Sequence, residues 1–268
     1  IKTRPALYME RRLGFAYSEL AENYLLAHEF EKAIESTRQS LPLKAEGELN
    51  YNLDLQTQVL GLLHTGEFAK ANTLGKRLIK HTEALGDDFR TMVRKYIVAN
   101  SEFLMGRYNV CDKVVTTLGV EMADREGWGF GIRLLGIMTQ IEREHFDQAE
   151  AAVENLRKYV ANSKQEVEFR QRDLLILQIL RQLARTGFDF EQTYHDRQRH
   201  FEKICSGDER YQWEVKTPEI VVFHEWYCCK MNGTEYDQAK AIKAVEAARA
   251  KMERKAVPVV FEGVQSSS

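Results

Sequence analysis

Apolar residues recur along most of this chain three and four positions apart, not in alternation, so helices are predicted and strands are not. Tyr17, Leu20, Ala21 and Tyr24 fall on one helix face, and Leu55, Val59 and Leu62 on another. The helical stretches are divided by short breaks, and the residues just after each break repeat a pattern. An aromatic comes first, and a small residue stands three positions later: Phe30 with Ala33, Phe68 with Ala71, Tyr108 with Cys111, Phe146 with Ala149. These aromatics lie 38, 40 and 38 residues apart. Tyr236 with Ala239 repeats the pattern near the C-terminal end.

Each unit reads as a helical hairpin. The break needs a residue that ends a helix or tolerates positive φ, which accounts for Gly66, Gly106 and Gly187. The aromatic plugs the closed end, and the small residue sits where the two helices approach most closely. One hairpin cannot cover its own apolar face, so a run of them predicts a stacked solenoid with one continuous core. The predicted units cover about 6–42, 51–85, 88–118, 128–161, 163–205 and 218–255, followed by a tail at 256–268. Unit five is predicted to open on a capping box, Ser163-x-x-Glu166, and to run as one helix to Thr186. Its second helix, from about Phe190 to Ile204, has Thr193 at the small position. Thr217 and Pro218 predict an N-cap and first turn for the last pair. In the tail, Val257 to Phe261 is expected to fold back on the last helix, and Gln265 to Ser268 to be disordered.

Leu20-Ala21-x-x-Tyr24 followed by Phe30-x-x-Ala33 resembles the tetratricopeptide repeat (TPR), over about residues 6 to 255. The spacing exceeds the usual period of about 34, and the link His81 to Asp87 is similar to that of a longer variety of roughly 40 residues. That variety occurs in kinesin light chains, bacterial peptide-pheromone receptors and sensor regions of bacterial regulators. The resemblance implies an all-α, right-handed superhelical solenoid of about six TPR-like hairpins. It also implies a concave groove, lined by the first helix of each unit, that binds a protein or peptide segment. Its register assigns Gln56, Tyr96, Asn100, Met138, Arg181, Arg185 and His224 to that groove. Asn100 stands out, because a side-chain amide can hold a peptide backbone of any sequence. Arg181 and Arg185, one turn apart, suit a ligand carboxylate or simple solvent exposure. The Lys/Asn/Asn/Lys/Arg set with which some members of that family grip chaperone tails is absent; Phe15, Ser18, Glu22, Leu53, Gln56, Val93, Tyr96 and Asn100 hold the matching positions.

Composition narrows the function classes. The chain has 38 Lys+Arg against 40 Asp+Glu, a net charge of −2, which disfavours a surface built for nucleic acid. The basic strip Arg197, Arg199, His200 and Lys203 has acids around it, so RNA binding is the weaker alternative. No apolar run is long enough to span a membrane, and no secretory leader is visible. Cys111, Cys205, Cys228 and Cys229 are too few and scattered to staple a chain of 268 residues, so a reduced, cytoplasmic setting is expected. His195, His200 and Cys205, or His224 with Cys228, fall short of a metal site, and no cofactor is expected. No phosphate loop, nucleophile triad or dinucleotide fingerprint appears, so the expectation is a non-enzymatic scaffold. It reads as the sensory or assembly part of a larger bacterial protein. Self-association through the convex face or the ends stays open as the alternative to groove binding. Tyr211 to Ile220, with Trp213, is expected to pin the last hairpin to unit five and cap the stack.

Overall fold

The computed structural model describes residues 5–121, 127–163 and 167–256. Four helical hairpins follow one another: α1 (Pro5–Leu26) with α2 (Phe30–Ser40), α3 (Leu49–His64) with α4 (Phe68–Ala84), α5 (Asp88–Leu104) with α6 (Tyr108–Glu121), and α7 (Trp128–Glu142) with α8 (Phe146–Ser163). The fifth pairs α9 (Gln171–Arg185) with α10 (Phe190–Asp196) and α11 (Gln198–Ile204), and the last is α12 (Phe223–Asn232) with α13 (Gln238–Ala256). Among the described residues there is no strand; from α1 to α11 each helix packs on the next in sequence, while α12 packs on α10 and α13 on α3. The architecture is an all-α repeat solenoid.

The repeat pattern places both helix starts and close approaches. Phe30, Phe68, Tyr108, Phe146 and Phe190 are each the first residue of a hairpin's second helix. Ala33, Ala71, Cys111, Ala149 and Thr193, three positions on, are all completely buried. The aromatic plug varies more: Phe30 is buried, whereas Phe146 is 42% exposed and leans on Phe188 at 5.1 Å between ring centres. The turns share a left-handed residue two places before the aromatic, at His28, Gly66, Gly106 and Glu144. Glycine meets this conformation without cost; His28 and Glu144, both at φ 59°, do not.

The later units depart from the expected boundaries. Ser163 is the last residue of α8, not a helix start, and Glu166 lies outside the described residues. α9 instead begins at Gln171, capped by Arg170, whose backbone N–H donates to the Asp173 carboxylate. The second helix of unit five breaks at Arg197, which leaves helical geometry at φ −119°. The stretch 218–222 is not helical: the Pro218 carbonyl is taken by Tyr96, and the Glu219 carboxylate, not Thr217, accepts the Phe223 N–H that opens α12. The last turn is longer, and this shifts the repeat register. Ala241 donates its N–H to Asp237 as Ala33 does to Glu29, so Ala241, not Ala239, is the close-approach residue. Gln238 then takes the place of the aromatic plug, fully buried. The tail expectations for Val257 to Ser268 lie outside the described residues.

Candidate functional site

The first helices of the five leading units, α1, α3, α5, α7 and α9, form the concave wall, and residues of the chain's own C-terminal third fill it. Trp213 lies edge-on to His28 and His64, with ring centres 5.6 and 5.5 Å away. Lys216 pairs with Glu22 of α1. The Tyr96 hydroxyl of α5 donates to the Pro218 carbonyl. Pro218 also lies over Gly131 of α7, where a Cβ would come within 2.1 Å of the Pro218 oxygen. Trp213, Val215, Ile220, Val221 and Val222 are 0–3% exposed, so this segment is core.

Glu219 fixes the segment to α9. Arg172 Nε and Nη2 meet its two carboxylate oxygens at 2.6 and 2.7 Å, with both residues 1% exposed. The remaining guanidinium donors go to the carbonyls of Ile204 and Tyr211 and to His224 Nδ1, at 2.8–2.9 Å. Trp213 Nε1 donates to the Glu219 carbonyl at 2.7 Å. Burial first, then the adjacent Arg172 charge, holds His224 well below its usual pKa, so it is neutral and free to accept. α12 and α13 continue the return. Trp226 Nε1 donates to Glu142 of α7 at 2.6 Å, and Gln238 bridges His64 Nδ1 and the Ile220 carbonyl.

This arrangement changes what the assigned groove residues do. Tyr96, Asn100 and Met138 are each 1% exposed, Tyr96 beneath the returning segment. Asn100 donates to the Tyr96 backbone carbonyl one turn back in its own helix, at 2.9 Å. His224 belongs to the filling and not to the wall. Arg181 is half-buried and Arg185 exposed, and among the described residues neither hydrogen-bonds the segment. Gln56 is half-buried and accepts from Arg94 Nε at 3.3 Å. The structure thus draws Tyr96 and His224 into the internal contacts, turns Asn100 onto its own helix, and leaves Gln56, Arg181 and Arg185 apart. The stretch around Trp213 does reach unit five through Glu219, but it also crosses to units one and two, beyond the capping role expected of it.

An open part of the concave face survives at the N-terminal end, as a cavity of about 350 Å³. Phe15 and Leu53 line it, 41% and 43% exposed, together with Gln56 and Leu60. Its base is a buried polar cluster in which Lys44 Nζ and Ser40 Oγ both meet Asp54 Oδ2 at 2.5 Å. The same end carries an apolar stripe on the outer face of α1, where Met9, Leu13 and Leu20 are 64%, 49% and 43% exposed. Sequence reasoning missed both this stripe and the Arg172–Glu219 pair. Arg172 did leave a signal: it lies in helical phase with buried Ile176, Ile179 and Leu183. Among the described residues, no three His, Cys, Asp or Glu side chains are placed to share a metal ion, and no helix is long and apolar enough to cross a membrane.

No family model matches the chain, and no curated protein matches its sequence. Solved structures do match. The chain is similar to the nearly identical TPR-like repeats of a Podosopora anserina kinesin light chain, at 11% identity and a TM-score of 0.52, with 91% of this chain and 98% of that one covered. A glutamine-to-methionine variant of the same protein gives a TM-score of 0.53 at the same identity and coverage. The fold is therefore that of a TPR-like repeat; at this identity the likeness establishes the fold alone.

Proposed function

We propose that the chain is a non-enzymatic scaffold that binds a protein segment. What supports this is a TPR-like stack with an open concave surface at its N-terminal end, where Phe15 and Leu53 stand half exposed beside Gln56. Much of the groove is filled by the chain's own residues 211–222. Tyr96, which the resemblance assigns to the groove, donates to a carbonyl of the chain itself. A partner segment at the open end would lie against Phe15 and Leu53 and continue the line of the returning segment near Lys216. The test is capture of partners by crosslinking in native cells, comparing wild type with Phe15→Glu/Leu53→Glu. A partner lost in the double variant supports the reading. Retention of every partner by that variant moves the working surface elsewhere.

The α1 stripe favours a second reading, end-to-end association. Leu13, Ala16 and Leu20 occupy the places that Tyr51, Asp54 and Gln58 take one repeat later. Those three are buried between units two and one. The stripe therefore has the form of a stacking face. Light scattering on wild type and Leu13→Glu/Leu20→Glu distinguishes the two: association through the stripe gives a dimer that the variant abolishes.

A further inference from the structure

The return of the last hairpin creates a second cavity, outside the groove. It has a volume of about 600 Å³ and lies between the unit-three turn, the end of α7 and the turn from α12 to α13. Rings of Phe103, Tyr108, Trp226 and Tyr236 contribute to its walls. Its charged lining residues are Glu142, Glu235 and Lys230. Three helices end on it: α5 at Leu104, α7 at Glu142 and α12 at Asn232, the last directly before lining residue Gly233. A helix C-terminus carries roughly half a negative charge. The cavity thus sets two carboxylates and three negative helix ends against one ammonium.

Glu142 is held in place, not free to swing. Trp226 Nε1 donates to its Oε1 at 2.6 Å, and Lys230 Nζ meets its Oε2 at 3.2 Å. It stands against Tyr108, whose hydroxyl is pushed up to about 12 by burial first and by this carboxylate second. The two neighbouring arginines are spent on other acids, Arg107 on Glu102 and Arg143 on Asp112. Lys230, a third exposed at the rim, shows that an ammonium is accepted here.

We propose that this cavity binds an organic cation, a guanidinium or alkylammonium group. Glu142 and Glu235 supply the charge, the three helix ends add negative potential although the turn N–H groups take most of their carbonyls, and the aromatic walls supply flat apolar faces that attract a cation. A bare divalent metal is a poorer fit, because it needs six or more oxygens within about 2.6 Å and two carboxylates in so wide a space do not converge that closely. The cation has two sources, a free amine or guanidine and an arginine side chain on a peptide. The inference stands independently of the scaffold reading, since it concerns a different face.

Calorimetric titration tests it with agmatine, the tripeptide Gly-Arg-Gly and the neutral control Gly-Gln-Gly. Binding of at least one cationic probe, with none of the control, is the expected result. Lys230→Met, which removes the internal competitor, should tighten binding by about fivefold, and Glu235→Gln should weaken it by about as much. Glu142→Gln should abolish it, but Glu142 also anchors Trp226, so the other two variants decide if that protein misfolds. Tighter binding of agmatine assigns the site to a small molecule, and tighter binding of the tripeptide to a partner's arginine. The proposal is overturned if neither cation binds better than the control, or if Lys230→Met and Glu235→Gln both leave the affinity unchanged.

Discussion

Arg172 and Glu219, 47 residues apart in the chain, meet through two parallel hydrogen bonds of 2.6 and 2.7 Å with both side chains buried. Arg172 belongs to the wall of the solenoid and Glu219 to the segment that fills it, so the pair ties the filling to the wall. A bidentate guanidinium–carboxylate contact fixes orientation as well as proximity. It also has all its remaining donors satisfied, by two carbonyls and His224. That satisfaction is what makes such a pair tolerable in a core.

Removing one member should therefore cost far more than removing both. Arg172→Met or Glu219→Leu alone is expected to lose about 3–5 kcal/mol, because each leaves a buried charge without its partner. Arg172→Met/Glu219→Leu should recover much of that loss. Urea unfolding of the four proteins gives the cycle. Additive losses in the double variant would show that the two residues do not act as a pair.

The local rules were legible in the sequence, and the return of the chain was not. Phe30, Phe68, Tyr108 and Phe146 mark helix starts, and Ala33, Ala71, Cys111 and Ala149 mark the close approaches, because both depend on contacts within one hairpin. The filling of the groove depends on contacts between residues far apart, such as Tyr96 with Pro218 and His64 with Gln238, 122 and 174 positions away. No periodicity encodes those. The sixth hairpin shows the same limit. Tyr236 and Ala239 imitate the repeat in sequence, but the turn before α13 is longer, so Gln238 and Ala241 take the packing positions. Asn100 reads as a peptide holder in the sequence, whereas in the fold it is buried and its amide donates to the Tyr96 carbonyl of its own helix.

Two buried histidines make the fold sensitive to acid. Burial, with a smaller effect from His28, holds His64 down to about 3, and burial with Arg172 holds His224 well below its usual value. Both are therefore neutral when folded, whereas in the unfolded chain they take up protons below about pH 6.5. Stability is present in full above that pH and falls as the pH drops toward the folded value, by about a kcal/mol per pH unit for each histidine. The melting temperature should thus decline steadily between pH 7 and pH 5. His64→Leu, whatever it does to the midpoint at pH 7, should flatten that decline. An unchanged slope in the variant would remove His64 from the account.

Glu144 offers a gain in stability. It takes the left-handed turn position of unit four at φ 59°, where Gly66 and Gly106 sit in units two and three. Its side chain is exposed and has little packing to lose. Glu144→Gly should raise stability by about 0.5–1 kcal/mol, the strain relieved outweighing the extra freedom of glycine in the unfolded chain. Chemical denaturation reads this directly, and a loss would mean that Glu144 makes a contact in the turn that outweighs its strain.

Gly131 controls the closure most directly. A Cβ at this position of α7 would come within 2.1 Å of the Pro218 oxygen and 2.7 Å of its Cβ. Backbone on one side and a helix on the other leave no flexible side chain to give way. Gly131→Ala raises helix propensity by about 1 kcal/mol, so any destabilisation it causes must come from this contact. The expected result is a net loss of about 1–3 kcal/mol, as for other overpacked cores. It should be accompanied by faster amide exchange across residues 211–222 and little change in α2 to α4. Faster exchange confined to that segment would show that the groove opens as a unit when Pro218 is displaced. Uniform acceleration over the whole chain would show instead that the filling and the solenoid fold as a single cooperative core.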